Sequence, residues 1–153
     1  MQANIAIQGL SSKELLEDWM WLLKKPFKLI AMTNFADMFL QDESGHIHFL
    51  DLVAGELKRV ADSPTELQQL VAQKENRQRW FLTDLLTEIE HAGFSLSPGQ
   101  CFGFKKPPAL GGKIKLSNVE IVPLEVHVSL MGQIHQQVKH HPPDTRIKGF
   151  QIA

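Results

Sequence analysis

At 153 residues, with 43% hydrophobic and 22% charged residues, the chain has the size and balance of one soluble globular domain over 1–153. No apolar run approaches the length of a bilayer span, and the amino-terminal MQANIAIQGLSSKELLEDW lacks the basic region and apolar stretch of an export signal. The lone cysteine, Cys101, excludes an internal disulfide and fits a reducing compartment, so a cytoplasmic protein with no membrane partner is expected.

The net charge of −1 is unevenly spread: residues 1–97 carry nine Lys/Arg against fourteen Asp/Glu, and 98–153 carry seven against three. No Lys/Arg run exceeds two. The halves therefore read as neutralising each other locally rather than as a basic face for an anionic partner.

In chain order, Ser11 with Glu14 three residues later forms a capping box. Leu15, Leu16, Trp19, Met20, Leu22 and Leu23 then recur at helical spacing up to Lys24-Lys25-Pro26, predicting a helix over 12–24. Four runs of strand character follow at 28–32, 36–41, 46–52 and 56–60. Asp42-Glu43-Ser44-Gly45 and Ala54-Gly55 separate the later ones at hairpin lengths, which predicts an antiparallel meander. Ser63-Pro64-Thr65-Glu66 is a second capping box with proline at the first helical position. A third helix is predicted over 77–92, carrying Trp80, Phe81, Leu85, Leu86 and Ile89 and ending at Gly93.

Next comes GQCFGFKKPPALGG, residues 99–112, with four glycines, two prolines and Cys101. Such density of backbone-special residues specifies an ordered loop or edge strand. A strand is predicted at 119–122. Leu124, Val128, Met131, Ile134 and Val138 then fall within a helical sector of roughly 120°, with Glu125, Ser129, Gln133, Gln136 and Gln137 opposite. That helix, over 124–139, is expected to stop at His140-His141-Pro142-Pro143. The order is α, β-meander, α, α, irregular β, α: an α+β fold in which an antiparallel sheet is packed by helices.

His46 and His48 are two apart on a strand and share a face, but no third metal ligand is designated. His127 and His135 lie on one helix side at roughly 12 Å along the axis, too far for one ion. Neither HExxH nor a paired CxxC occurs, so no metal and no cofactor is expected. Cys101 leads into an extended Phe-Gly-Phe rather than the helix N-terminus that would activate a thiol. Gly111-Gly112-Lys113 is followed by Ile114 instead of Ser or Thr, which argues against a phosphate loop. Phe102 and Phe104 alternate as in an RNA-binding strand, but the element order is wrong for that fold and they read as core; no nucleic-acid partner is expected.

As a pair, GQCFGFKKPPALGG and EVHVSLMGQIHQQVKHHPPDTRIKG resemble the C-terminal domain family of type VI secretion DNase-immunity proteins, once catalogued as a domain of unknown function. FADMFLQDESGHIHFLDLVAGELKRVADSPTEL resembles the same family upstream, so the resemblance covers nearly the whole chain. It implies a cytoplasmic protein that binds and blocks a toxin, with no catalytic residues to carry over.

The leading expectation is thus a non-enzymatic immunity protein whose partner is a cognate protein toxin, a nuclease in the form that resemblance implies. Its contact residues are expected to be Gln100, Lys105 and Lys106 of the glycine–proline segment with Glu125, Ser129, Gln133, Gln136 and Gln137 of the last helix. Gly99, Phe102, Gly103, Phe104, Gly111, Gly112, His127 and His135 read as its structural motif. The alternative is a small-ligand or metal-dependent enzyme using His127, His135 and Cys101 around a cleft.

Overall fold

The computed structural model describes residues 2–139; the expected helix stop at His140-His141-Pro142-Pro143 lies outside them. Among these residues the architecture is α+β. Strands β1 (Asn4–Ile5), β2 (Lys28–Thr33), β3 (Met38–Gln41), β4 (Ile47–Asp51) and β5 (Glu56–Ala61) form one antiparallel sheet in sequence order. β6 (Gln100–Phe104) and β7 (Val119–Pro123) form a separate two-stranded ribbon.

Strand alternation divides the meander into two apolar faces. Met38 pairs with Leu50 and Phe39 with Phe49, so Met38, Leu40 and Leu50 point one way and Phe39, Ile47 and Phe49 the other. The first face packs against Leu15, Leu16, Trp19 and Leu23 from the amino-terminal helices and Leu124, Val128, Met131 and Ile134 from α6 (Leu124–Lys139). Leu67 of α3 (Pro64–Val71) and Trp80 and Phe81 of α4 (Lys74–Phe81) cover the second. A third cluster joins α5 (Thr83–His91) to the ribbon through Leu85, Leu86, Ile89, Phe102 and Phe104.

The single helix expected over 12–24 is instead α1 (Ser12–Leu15), a 3-10 turn (Glu17–Trp19) and α2 (Met20–Leu23), ended by Lys24 at φ 62°. Two tryptophans explain the break. Trp19 Nε1 donates to the Val128 carbonyl at 2.9 Å and Trp21 Nε1 to the Gly132 carbonyl at 3.2 Å, successive turns of α6. In an unbroken helix these two residues would stand roughly 200° apart and could not both face α6. The 3-10 turn brings the indoles together, 6.2 Å between centroids.

The helix expected over 77–92 is likewise two helices, α4 and α5, divided at Leu82 with φ 53°. The kink lets Trp80 and Phe81 cover Phe39 while Leu85 and Ile89 turn to the ribbon cluster. Gln78 caps the new start: its Oε1 accepts from Thr83 Oγ1 at 2.7 Å and Asp84 N–H at 2.9 Å. Both expected serines cap their helices, Ser11 Oγ accepting from Glu14 N–H and Ser63 Oγ from Glu66 N–H, while the Glu66 carboxylate takes the Asp62 amide rather than that of Ser63. Gly93 closes α5 in a Schellman arrangement, with Phe94 N–H reaching the Ile89 carbonyl at 3.2 Å.

Candidate partner-binding surface

The ribbon is anchored through its backbone. Phe102 N–H donates to the Asn34 carbonyl at 2.8 Å, and Leu124 N–H to the Gly99 carbonyl at 2.9 Å. Asn34 sits in the β2–β3 turn, where its side chain also donates to the Gln2 carbonyl. In the same turn Asp37, fully enclosed, accepts from Leu52 N–H at 2.7 Å, and Thr33 Oγ accepts from the Phe35 and Asp37 amides. Burial, with the Asp51 charge second, raises the Asp37 carboxyl well above the usual range. Phe102 and Phe104 are core, as read from the sequence: their rings lie 5.7 Å and 5.8 Å from that of Phe35.

The loop leaving β6 is held by one side chain. Asn118 Oδ1 accepts from Lys106 N–H at 3.0 Å, while its Nδ2 donates to the Lys106 and Lys113 carbonyls at 2.9 Å and 2.8 Å. Inside it, Pro108–Leu110 forms a 3-10 turn and Gly111 takes φ 95°. Gly112 packs so closely on the Lys106 carbonyl that a Cβ there would overlap the oxygen. Lys105, Lys106, Lys113, Ile114 and Lys115 are all exposed on this closed frame. Pro107 and Pro108 meet His127 and Met131 of α6 around a space of about 10 Å³, too small for a ligand.

The other expected contact residues divide by environment. Glu125 and Gln136 are exposed on α6. Ser129 Oγ donates to Asp18 of the 3-10 turn, and Gln133 Nε2 donates to Ser129 at 3.1 Å. This side of α6 therefore meets the amino-terminal helices, and Gly132 lets the Asp18 carbonyl close in. Gln137 is half-buried. Gln100 Oε1 accepts from Ser97 N–H at 2.9 Å, and Gln100 and Gly99 line an open groove of about 720 Å³ with Gln2, Asn4 and Phe94.

The groups considered for catalysis occupy separate surroundings. Cys101 is in the core, where burial, with the Asp37 charge second, pushes its thiol up to about 12. Burial lowers His127 to about 4, and its ring lies against Gly103 and beside the loop base. His135 Nε2 donates to the Leu52 carbonyl at 2.7 Å, its ring presses on Gly55, and burial lowers its pKa. At neutral pH the thiol is protonated and the His127 imidazole is neutral. His46 and His48 do converge, on Asp42: His48 Nε2 lies 2.9 Å and His46 Nδ1 3.7 Å from Asp42 Oδ2, with Lys25 Nζ at 3.6 Å. The His48 bond foremost, with the His46 and Ser44 amides and the Lys25 charge, holds Asp42 well below the usual carboxylate range. Among the described residues no three His, Cys, Asp or Glu side chains are placed to hold a metal ion.

Residues 61–135 match the family model of the T6SS immunity protein Tdi1, C-terminal. The resemblance drawn from the sequence is borne out over that span. The Tdi1 C-terminal match runs from the end of β5 into α6 and takes in α3, α4, α5, the whole ribbon and its loop. No curated protein matches the chain. Among the described residues no helix is long and apolar enough to cross a membrane.

The sequence reading missed Lys113, Ile114, Lys115 and Asn118 as parts of this surface. Lys-Ile-Lys in a glycine-flanked loop was a visible signal, but the spacing from Lys105-Lys106 concealed that one asparagine ties the two ends together.

Proposed function

We propose that this protein is an immunity protein that binds a type VI secretion toxin in the cytoplasm and blocks it by occupying its surface. The Tdi1 C-terminal match over residues 61–135 carries the reading. The site chemistry agrees in kind, because Cys101 is sealed in the core and His127 and His135 serve different backbone neighbours. A nuclease toxin is the form of this reading that the sequence resemblance favours.

In this reading the contact residues are drawn from Gln100, Lys105 and Lys106 of the glycine–proline segment and from Glu125, Ser129, Gln133, Gln136 and Gln137 of α6, of which Lys105, Lys106, Glu125 and Gln136 are exposed. A protein–protein contact of ordinary size, about 800 Å² per partner, is well within reach of a domain of this size.

The test is protection. Toxin candidates taken from the neighbouring genes are induced in a host that carries or lacks the protein, and colony counts are compared. Rescue of growth, with the two proteins co-eluting, is the expected result. Equal killing in both hosts, with no complex formed, refutes the reading.

A further inference from the structure

The β6–β7 loop gathers what the sequence keeps apart. Lys105 and Lys106 stand at its start and Lys113 and Lys115 near its end, and Asn118 ties both ends through hydrogen bonds to Lys106 and Lys113. Residues 105–118 contain no acidic side chain, and none of the four ammonium groups has a carboxylate partner among the described residues. Ile114, between two of these lysines, is 50% exposed. Exposed like charges repel, and an exposed isoleucine gains nothing in water. A frame that nevertheless holds them in fixed positions is suited to an external surface of opposite charge.

We propose that this loop is the element that grips the toxin, and that the toxin offers it an acidic patch around an apolar recess that takes Ile114. The inference rests on the immunity reading and gives it a partner chemistry. A protein fits these features better than a nucleic acid. The loop has no arginine and no aromatic ring on which bases could stack, and its central exposed group is aliphatic. Its closed frame means little backbone freedom is lost on docking. The lysines speed encounter and select an acidic face, and Ile114 supplies the desolvated anchor.

The experiment uses the full chain and the purified, catalytically inactivated toxin identified by the protection test, with affinity read by titration calorimetry. Three proteins are compared with wild type: Ile114→Asp, the double variant Lys113→Glu with Lys115→Glu, and a control, Lys58→Glu with Lys74→Glu, which changes the same charge elsewhere. Circular dichroism and thermal melts report that each is folded. Ile114→Asp and the loop double variant are each expected to weaken binding about 100-fold or more. The control stays within about threefold of wild type, and weakening of wild-type binding by added salt is lost in the double variant. Wild-type affinity in folded loop variants overturns the loop assignment and leaves the immunity reading standing. Failure of wild type itself to bind the toxin overturns both. Binding of wild type to a short DNA duplex at low salt, abolished in the loop variants while toxin binding persists, overturns the proposal in favour of a nucleic-acid site.

Discussion

Gly103 of β6 and His127 of α6 lie in direct contact: a Cβ on the glycine would stand 3.0 Å from His127 Cε1 and 3.2 Å from Nδ1. The ring thus fills the space that the missing side chain leaves, with Val122 Cγ2 at 3.2 Å closing the other side. Gly103→Ala forces the imidazole and Val122 to shift by a few tenths of an ångström, and Gly103→Val cannot be accommodated that way. We expect losses of about 1 kcal/mol for alanine and about 3 kcal/mol for valine. Urea unfolding of the two variants checks this; equal stability of valine variant and wild type would show that the contact is slack.

How much of this was legible follows from which interactions are local. The meander was, because alternation in 38–41 and 47–51 and the Asp42–Gly45 turn, with Gly45 at φ 90°, are written in adjacent residues. The break in the first helix was not. Period alone cannot show that Trp19 and Trp21 both need carbonyls on α6, more than a hundred residues away. The kink at Leu82 has the same origin, since two clusters compete for the two ends of one apolar pattern. In the candidate surface, Lys105 and Lys106 are exposed, whereas Ser129 and Gln133, on the polar side of the α6 pattern, meet Asp18, which no local pattern places beside them.

The lowered pKa of His127 makes stability depend on pH with a definite sign. Its imidazole titrates near 4 in the fold and near 6.5 when unfolded. Between these values the unfolded chain binds a proton that the native protein refuses, so stability falls as pH drops from about 6.5 to about 4. Above that window His127 contributes no slope. With the ring half-buried, the loss is set at about 1–2 kcal/mol, below the full equivalent of the shift. His135 is lowered too and acts in the same sense. The His127→Gln variant, neutral throughout, should show a shallower decline in chemical stability from pH 7 to 4 than wild type. Identical slopes would contradict the assignment.

Asp37 acts with the opposite sign. Its carboxyl is raised well above 3.8 in the fold, so as pH rises from that value the unfolded chain ionises first and native stability is lost until Asp37 itself ionises. Asp37→Asn removes this ionisation while keeping an oxygen for Leu52 N–H. The variant should therefore gain stability relative to wild type as pH is raised from 4 to 8. Asp37→Ala also removes the ionisation but leaves that buried amide without its acceptor, so it should be about 1–3 kcal/mol less stable than Asp37→Asn at any pH. Unfolding curves at pH 4.5 and 8 for all three proteins decide the matter. A constant difference between asparagine variant and wild type would exclude a raised carboxyl.

Asn118 offers a way to loosen the basic loop without touching the core. Its side chain makes three hydrogen bonds to loop backbone, two of them to Lys106, and all three lie at the surface. Asn118→Ala removes them, but water can satisfy the freed groups, so a loss of global stability of about 1 kcal/mol or less is expected. Loop order should suffer more. The Lys106 amide, whose acceptor is the Asn118 side chain, should exchange with deuterium much faster, while the buried Phe102 amide, bonded to the Asn34 carbonyl, stays protected. If this loop grips the toxin, restoring its freedom must also weaken binding, by about tenfold through ordering cost alone. The lysines and Ile114 remain in place, so the deficit should appear mainly as unfavourable entropy in calorimetry. Rapid exchange at Lys106 with unchanged affinity would mean that the order of the loop is irrelevant to the complex.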